Sequence, residues 1–429
     1  MATGGFDSIT NALKNVYTQK RVVPMVNEEA PFRRYLKRQI PSGARVSEGI
    51  LKFGANFNPP QNQGQLADGD NLPTPKDRSQ DQFELNPTLF AGTFQIGWIT
   101  RRAGNTGKSA FNGGELRRKT EETIADIGKY IEQTFVATHG TGRRARVLTD
   151  GSNTFTVDKP ERAWLLRENQ YISVRTTDGG DTVRDSLDYR LITAIDLDTD
   201  TVTYDGADQT LVAGDHVHPV TKASQTSLST ISANGLRGLV DDGTYQGTLH
   251  GLSRSTYPKL NSIVKDNGGT LRDLSEQILV NTAHEVRQRS NKRVTDIWTN
   301  TGQIEKYIEF VSPDRRYTQN GRGITQMGTG YQEDSIVHYA PGVSMKFNVS
   351  VDVVPREIFM LNWDSFFHYN AQELDWWDEG GGLLRPLPTD GGFKAAWFAA
   401  LSCIENIGCD YPIGNAVIRD LNDPLAGDA

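Results

Sequence analysis

The chain has 429 residues, 46 basic and 53 acidic, for a formal net charge of -7; that balance excludes tight wrapping of nucleic acid, which needs a concentrated cationic surface to displace counterions. The 36% hydrophobic and 23% charged fractions fit a soluble folded protein of two or three units, and 42 glycines with 18 prolines exclude an all-helical fold. No run of about 18 apolar residues could cross a membrane as a helix, and the opening MATGGFDSIT lacks a charged-then-apolar leader, so the chain is expected to stay in the cytoplasm where it is made.

Phe6, Ile9, Leu13 and Val16 recur at helical spacing behind Asp7 and Ser8 and predict a short amphipathic helix. From Arg21 the chain reads RVVPMVNEEAPFRRYLKRQIP, in which Pro24, Pro31 and Pro41 prevent one long helix. Phe32, Tyr35 and Leu36 make a small apolar anchor among Arg33, Arg34, Lys37 and Arg38, so this segment is expected to be an arm that lies on something else. The stretch from Val46 to Phe94 holds the strand-like ILKFGANF, the polar PPQNQGQLADGDNLPTPKDRSQ and a return through QFELNPTLFAGTF. Two extended limbs about a polar tip predict a long projecting hairpin. Its open edges invite pairing with another chain, so it is expected to clasp a neighbour.

Between Glu115 and Val136, Leu116, Thr120, Ile124, Ile127, Ile131 and Phe135 share one face. They predict the strongest helix of the chain, a spine of roughly 33 Å at about 1.5 Å per residue. From Arg146 to Val220 the runs TFTV, YISVRT, YRLITAI and DTVTY alternate between Asp, Gly and Thr turns and predict an inserted all-β unit. STISANGLRGLVDDGTYQGTLHGLSRSTYP reads as a Gly-rich connector, after which Thr270 with Asp273 is expected to start a helix bearing Leu271, Leu274, Ile278, Thr282 and Val286. DIWTN is a buried-strand candidate, and a helix is expected near Gln303 to Val311. MKFNVSVDVV and EIFMLNW predict strands flanking Pro355, the aromatic run Phe366, Phe367, Tyr369, Trp376 and Trp377 follows, and FKAAWFAALSCIENI predicts a core strand or helix. The sum is an α+β chain.

Patterns that mimic chemistry each fail at a named position. GNTGKS, Gly104 to Ser109, shares GKS with phosphate-cradling loops, but Arg102 stands where that loop needs its first glycine, and Phe111 to Gly114 separate it from the helix. Asp196, Asp198 and Asp200 mimic the start of a calcium loop, yet its sixth position is Thr201 and its twelfth Ala207, so a hairpin turn is the expectation. His216 and His218 share one strand face without a third ligand nearby, and Cys403 and Cys409 lack the CxxC spacing. No nucleophile signature is present. No catalytic residue, cofactor or metal is therefore expected. The cluster Arg143, Arg144 and Arg146 is expected to be a solvated face; contact with DNA or acidic neighbours is the functional alternative, and its place beside a domain joint favours other subunits.

This order of parts resembles the major capsid proteins of tailed bacteriophages, whose fold is the Hong Kong 97-like one. GLRGLVDDGTYQGTLHGLSRSTYPKLNSIV, LSEQILVNTAHEVRQRSNKRVTDIWTN and VDVVPREIFMLNWDSFF are similar to segments of those shell proteins, and the resemblance spans nearly the whole chain. It implies an α+β Hong Kong 97-like fold with an N-terminal arm over 1–45, an extended loop over 46–94 and a peripheral domain with the spine helix over 95–145. An inserted β domain over 146–222 would sit on the outer face. An axial domain over 223–345 would meet its copies at five-fold and six-fold centres, and 346–429 would return peripheral strands and complete the axial domain.

The resemblance further implies a shell protein without enzymatic activity, self-assembling as hexamers and pentamers into an icosahedral head around double-stranded DNA. It would be located in the virion after assembly in the host bacterial cytoplasm. Expected partners are a separate scaffolding protein and a portal, with a decoration protein as a further candidate, non-specific contact with DNA and no membrane. Candidate inter-subunit contacts are Phe32, Arg33, Arg34, Tyr35, Lys52, Phe53, Phe57, Lys76, Arg78, Arg117 and Arg118. Some members of the family cross-link through a lysine, but neither Lys52 nor Lys76, the only lysines of the loop, carries a motif that would mark it, so non-covalent locking is expected. An encapsulin-like shell of a bacterial nanocompartment is the alternative, and a nucleotide-dependent enzyme at Gly104 to Ser109 a third reading.

Overall fold

The computed structural model describes residues 19–36, 40–41, 43–58, 71, 79–97, 110–311, 337–340, 343–377, 384–389 and 392–427. The helix expected over Phe6 to Val16, most of the hairpin tip and the Gly104 to Ser109 loop lie outside these residues.

Helix α1 spans Gln19–Glu29 with Pro24 inside it. The break falls instead at Ala30, where Pro31 opens the short α2, Pro31–Tyr35, at a position whose missing N–H has no helical partner to lose. The hairpin is a three-stranded antiparallel sheet of β1 (Arg45–Ser47), β2 (Ile50–Asn58) and β3 (Ser79–Leu85). Its register opposes Leu51 to Leu85 and Phe53 to Phe83, which sets Leu51, Phe53 and Ala55 on one buried face. β4 (Thr88–Gly97) continues the chain with strict alternation, burying Phe90, Phe94 and Ile96.

The spine helix, α3, runs Ala110–Ala137 and starts earlier than the sequence pattern placed it, through Gly113 and Gly114. Thr120, Ile124, Ile127, Ile131 and Phe135 are buried along it. Gly128 is where α1 crosses, for a Cβ there would stand 2.9 Å from the Glu29 Cβ. Six strands then close a barrel in the order β10-β5-β6-β9-β8-β7: β5 (Ala145–Gly151), β6 (Thr154–Val157), β7 (Tyr171–Arg175), β8 (Arg190–Asp196), β9 (Thr201–Tyr204) and β10 (His216–Pro219). The barrel has its own core, including Val147, Phe155, Ile172, Val174, Ile192, Val202 and Val217.

The Gly-rich segment after the barrel is not a mere connector. It forms α4 (Leu228–Ile231), α5 (Leu236–Leu239) and the two-stranded β11 (Thr248–Leu249) and β12 (Leu252–Ser253). Leu236, Leu239, Val240 and Leu249 join the main core. Its glycines serve close approach: a Cβ at Gly235 would stand 2.1 Å from the Thr138 carbonyl oxygen, and one at Gly238 would stand 2.2 Å from that of His139.

After β13 (Ile263–Lys265), α6 runs Glu276–Ser290. It begins later than Thr270 because Ser275 is the residue that caps it, accepting a hydrogen bond from the Ile278 amide. β14 (Asp296–Thr299), α7 (Thr301–Val311), β15 (Val337–Ala340), β16 (Val343–Val349) and β17 (Ile358–Leu361) follow. The chain ends through β18 (Phe366–Trp376), β19 (Arg385–Thr389), β20 (Gly392–Cys409) and β21 (Ala416–Ile418). A six-stranded mixed sheet has the order β13-β21-β17-β14-β16-β15, with α6 and α7 packed on one face around Leu279, Val286 and Ile304. FKAAWFAALSCIENI is strand: β20, of 18 residues, pairs with β18, β19 and β4. Below that sheet and the spine helix lies the largest apolar cluster, which also takes in Phe32 and Trp298.

Candidate functional site

Three parts of the chain bear on the candidate residues: the arm, the hairpin and the barrel. The seat of the arm is aromatic. Phe32 packs edge-on to Trp298 with ring centres 5.1 Å apart, and Tyr35 stacks on Trp363 at 5.5 Å and meets Trp298 edge-on at 5.4 Å. Such pairs add about 0.5–1.5 kcal/mol beyond the area they bury. Tyr35 also donates to Asn348 at 3.0 Å.

Two buried carboxylates complete the seat. Both oxygens of Glu132, on the spine helix, accept from the Phe32 amide at 3.1 Å. Glu405, on β20, takes Arg33 Nε and His368 Nε2 on one oxygen, each at 2.9 Å. Burial by itself pushes the Glu405 carboxyl up, but the His368 hydrogen bond and the Arg33 guanidinium outweigh it and hold it below the usual range.

These contacts redefine three of the predicted site residues. Phe32, Arg33 and Phe53 are buried within the chain itself, where their side chains pack into its own core. Phe53 lies 4.9 Å from Phe83 and 5.1 Å from Phe367. Tyr35 is half-buried in the same seat, whereas Arg34 points to solvent. Lys52 pairs across the hairpin with Glu84 at 3.0 Å. Arg117 and Arg118 are exposed on the spine helix and pair with Glu121 at 2.9 Å and Glu122 at 3.4 Å, links of a few tenths of a kcal/mol. Lys37, Arg38, Lys76, Arg78 and the Phe57 side chain lie outside the described residues. Among the described residues, Phe32, Arg33 and Tyr35 share the seat of the arm, while Lys52, Phe53, Arg117 and Arg118 lie on the hairpin and the spine helix.

The joint between barrel and body is a buried ionic network. Arg143 reaches Glu161 at 2.8 Å and Asp178 at 3.0 Å, Arg237 reaches Glu161 and Glu357 at 2.9 Å each, and Arg419 reaches Asp241 at 2.9 Å. Arg237 and Arg419 both lie over the Tyr245 ring, 5.1 and 4.2 Å from its centre. Arg143 and Arg144, expected at a surface, are buried here instead. Arg254, in the Gly-rich segment, donates to the carbonyls of Gly238 at 2.6 Å and Asp241 at 2.5 Å.

The chemical mimics are occupied by ordinary contacts. Asp196 accepts from the Asp198 amide at 3.0 Å in the β8–β9 turn, while Asp200 turns away to Arg162 at 2.6 Å. His216 Nδ1 faces Arg143 Nη1 at 3.2 Å, and His218 Nε2 faces the Gly179 amide at 3.4 Å. Burial brings His218 down to about 3 and, with Arg143, also lowers His216; each of these ring nitrogens faces an N–H donor and accepts. Among the described residues no group of three or more His, Cys, Asp or Glu is placed to hold a metal. Both cysteines are free and buried.

Charge is partitioned. Residues 145–220 hold 14 acidic and 7 basic residues, and the rest of the chain holds 39 of each. On the barrel surface Asp150, Glu168, Asp181, Asp185, Asp196, Asp198, Asp205 and Asp208 are exposed, against Lys159 as the exposed cation.

Glu132, Glu405, Arg237 and Glu357 were not singled out from the sequence. Glu405 carried a signal, for it alternates with Leu401, Cys403 and Ile407 in a period-two apolar face.

No protein-family model matches the sequence, and no curated protein matches it. The structure is similar to a chain of the cyanophage A-1(L) capsid, with a TM-score of 0.51 and 12% identity over 91% of this chain and 93% of that one. A chain from the capsid of a native GTA particle aligns over 91% of this chain and 90% of its own at 8% identity and a TM-score of 0.47. The encapsulin from Synechococcus elongatus PCC 7942 aligns over 96% and 94% at 10% identity and 0.39. The cyanophage likeness shows the fold, which is α+β and Hong Kong 97-like, with arm, extended hairpin, spine helix and an inserted β barrel.

Proposed function

We propose that this chain is the major capsid protein of a tailed bacteriophage, a shell-forming subunit without enzymatic activity that assembles as hexamers and pentamers around packaged double-stranded DNA. The observation that carries the reading is the fold itself, matched to a capsid chain over 91% of the length. The division of the chain supports it. A subunit that meets several neighbours through an arm and a hairpin buries a large area in total while each contact stays modest, and repeated contacts of that kind close a shell.

In this reading residues 46–94 are the extended loop, rooted in its own chain by β4 on β20 and by the buried Phe53, Phe83 and Phe90 and reaching the adjacent subunit with the remainder, while 95–145 is the spine of the peripheral domain and 223–345 most of the axial domain. The exposed Arg34, Arg117 and Arg118 are the better contact candidates, since Phe32, Arg33 and Phe53 are committed inside the chain. The barrel belongs on the outer face. Its excess of carboxylates would be repelled by packed phosphate, whereas the charge-balanced remainder tolerates non-specific contact with DNA. A separate scaffolding protein, a portal and a decoration protein are the further partners, with assembly in the host cytoplasm and residence in the virion.

Electron microscopy of the purified chain tests the reading. Icosahedral particles are expected from the full chain, and soluble folded subunits without particles from a variant lacking Asn58 to Arg78. A stable monomer at high concentration would overturn the shell role, and normal particles from the deletion would overturn the clasping role of the hairpin.

A further inference from the structure

We propose that the tight turn at His250 and Gly251, with Tyr257 behind it, is a pin that fixes the direction in which the hairpin leaves the body. The inference concerns one chain, goes beyond the shell reading and does not rest on it.

The turn joins β11 to β12, and both of its residues are left-handed, His250 at φ 49° and Gly251 at φ 84°. Two positive angles in a two-residue loop suit glycine, asparagine or aspartate, so a histidine at the first position is held against the preference of its own backbone. Its ring supplies the reason. It is 7% exposed and wedged between hairpin and body, edge-on to Phe53 at 5.9 Å and to Phe83 at 5.6 Å on one side and 6.2 Å from Phe367 of β18 on the other. Its Nε2 accepts from the Cys409 amide, at the end of β20, at 3.1 Å. The His250 carbonyl takes the amide of Glu84, on β3, at 2.9 Å.

A second attachment lies further out. The Tyr257 hydroxyl donates to Asp81 at 2.7 Å, the outermost hydrogen bond between hairpin and body among the described residues. Glu84 and Asp81 are three residues apart on β3, roughly 10 Å at about 3.4 Å per residue. One attachment would leave the strand free to swing about it, whereas two at that separation set its direction. The bonds of Tyr369 to the Gly49 carbonyl and of Asn406 to the Asn86 carbonyl hold only the foot of the hairpin.

The mount is stiff. Leu249 is fully buried in the main core, and Arg254, 1% exposed, donates to the carbonyls of Gly238, Leu239 and Asp241. The Tyr257 amide is itself bonded to the Ser253 carbonyl at 3.1 Å. The Gly-rich segment is thus a bracket, with His250 as its wedge and Tyr257 as its outer stop. A hairpin aimed in advance loses less freedom on meeting another surface, which strengthens the contact without adding to it.

Double electron–electron resonance on the full chain tests the pin, with spin labels on Gln80→Cys, one residue outside the outer bond, and on Asn281→Cys of α6. Cys403 and Cys409 are buried and stay in place, and the chain without added cysteines gives the labelling background. The otherwise natural chain should give one narrow distance peak. Tyr257→Phe, which removes only the hydroxyl, should raise the fraction outside that peak about two- to fivefold and leave the urea midpoint unchanged, because the bond to Asp81 is exposed. His250→Asn keeps a residue suited to the turn but removes the ring, and should raise that fraction further. A broad distribution in the natural chain, or an unchanged one in Tyr257→Phe, would overturn the proposal. A lowered midpoint in Tyr257→Phe without broadening would make that residue a support of the fold alone and count equally against the pin. If His250→Asn does not fold, the result for Tyr257→Phe decides.

Discussion

Arg237 and Glu357 form a buried two-pronged pair, Nε and Nη2 each 2.9 Å from one carboxylate oxygen, inside the joint between barrel and sheet. The third nitrogen of the same guanidinium reaches Glu161 at 2.9 Å. One planar cation therefore ties the segment after β6 to the segment before β17. Removing it leaves two buried carboxylates short of their partner. Arg237→Ala is expected to cost about 3–5 kcal/mol, read as a shift of the urea unfolding midpoint. Arg237→Lys should recover little of it, because an ammonium cannot span three oxygens in a plane.

Gly235 meets the end of the spine helix at backbone distance. Its missing Cβ would stand 2.1 Å from the Thr138 oxygen, and a carbonyl cannot rotate aside as a side chain can. Gly235→Ala should cost at least the 1–3 kcal/mol typical of overpacking. Gly247→Ala is the matched control, with nothing within 4 Å of its Cβ position, and should leave the thermal midpoint unchanged.

Acid should undo the Glu405 clasp of the arm. Because His368 and Arg33 together hold Glu405 below its usual range against the opposing effect of burial, its contribution is present above the ordinary carboxylate value and is lost as pH falls through the lowered one. Melting curves of the natural chain from pH 7 downward should steepen in their decline below about pH 4.5. Glu405→Gln should start lower and decline less over the same interval, and parallel curves would refute the assignment.

Neither thiol should react in the folded chain. Cys403 and Cys409 are fully buried, and burial pushes both thiols up, Cys409 to about 12, which removes the thiolate that alkylation needs. Iodoacetamide at pH 8 should label none of the native chain and both cysteines in denaturant, as read by mass spectrometry.

The elements with a strong period were legible in the sequence. Ile124, Ile127, Ile131 and Phe135 fix the buried face of the spine helix, and the short alternating runs after Arg146 announce a β unit, because both patterns are local. That the β unit closes on itself was not legible, since closure depends on the pairing of β10 with both β5 and β7 across the chain. The Gly-rich run from Ser229 to Pro258 misled for a related reason. Glycine there marks places where backbones touch, at Gly235 and Gly238, and the same letters in isolation read as a flexible link. The ion pair of Arg33 was not legible, because a basic residue in an arm is exposed by default. Its partner Glu405 lies 372 positions away, beyond the reach of any spacing rule.

β20 is continuous for 18 residues, or roughly 60 Å at about 3.4 Å per residue. It is hydrogen-bonded along one side to β18 and β19 and along the other to β4. Tension applied along it is resisted in shear by all three ladders at once, so no single hydrogen bond can yield before its neighbours. The strand therefore acts as a tie-rod. Pulling on opposite ends of the molecule along this axis should meet its stiffest direction, while a load across the sheet would unzip β4 bond by bond.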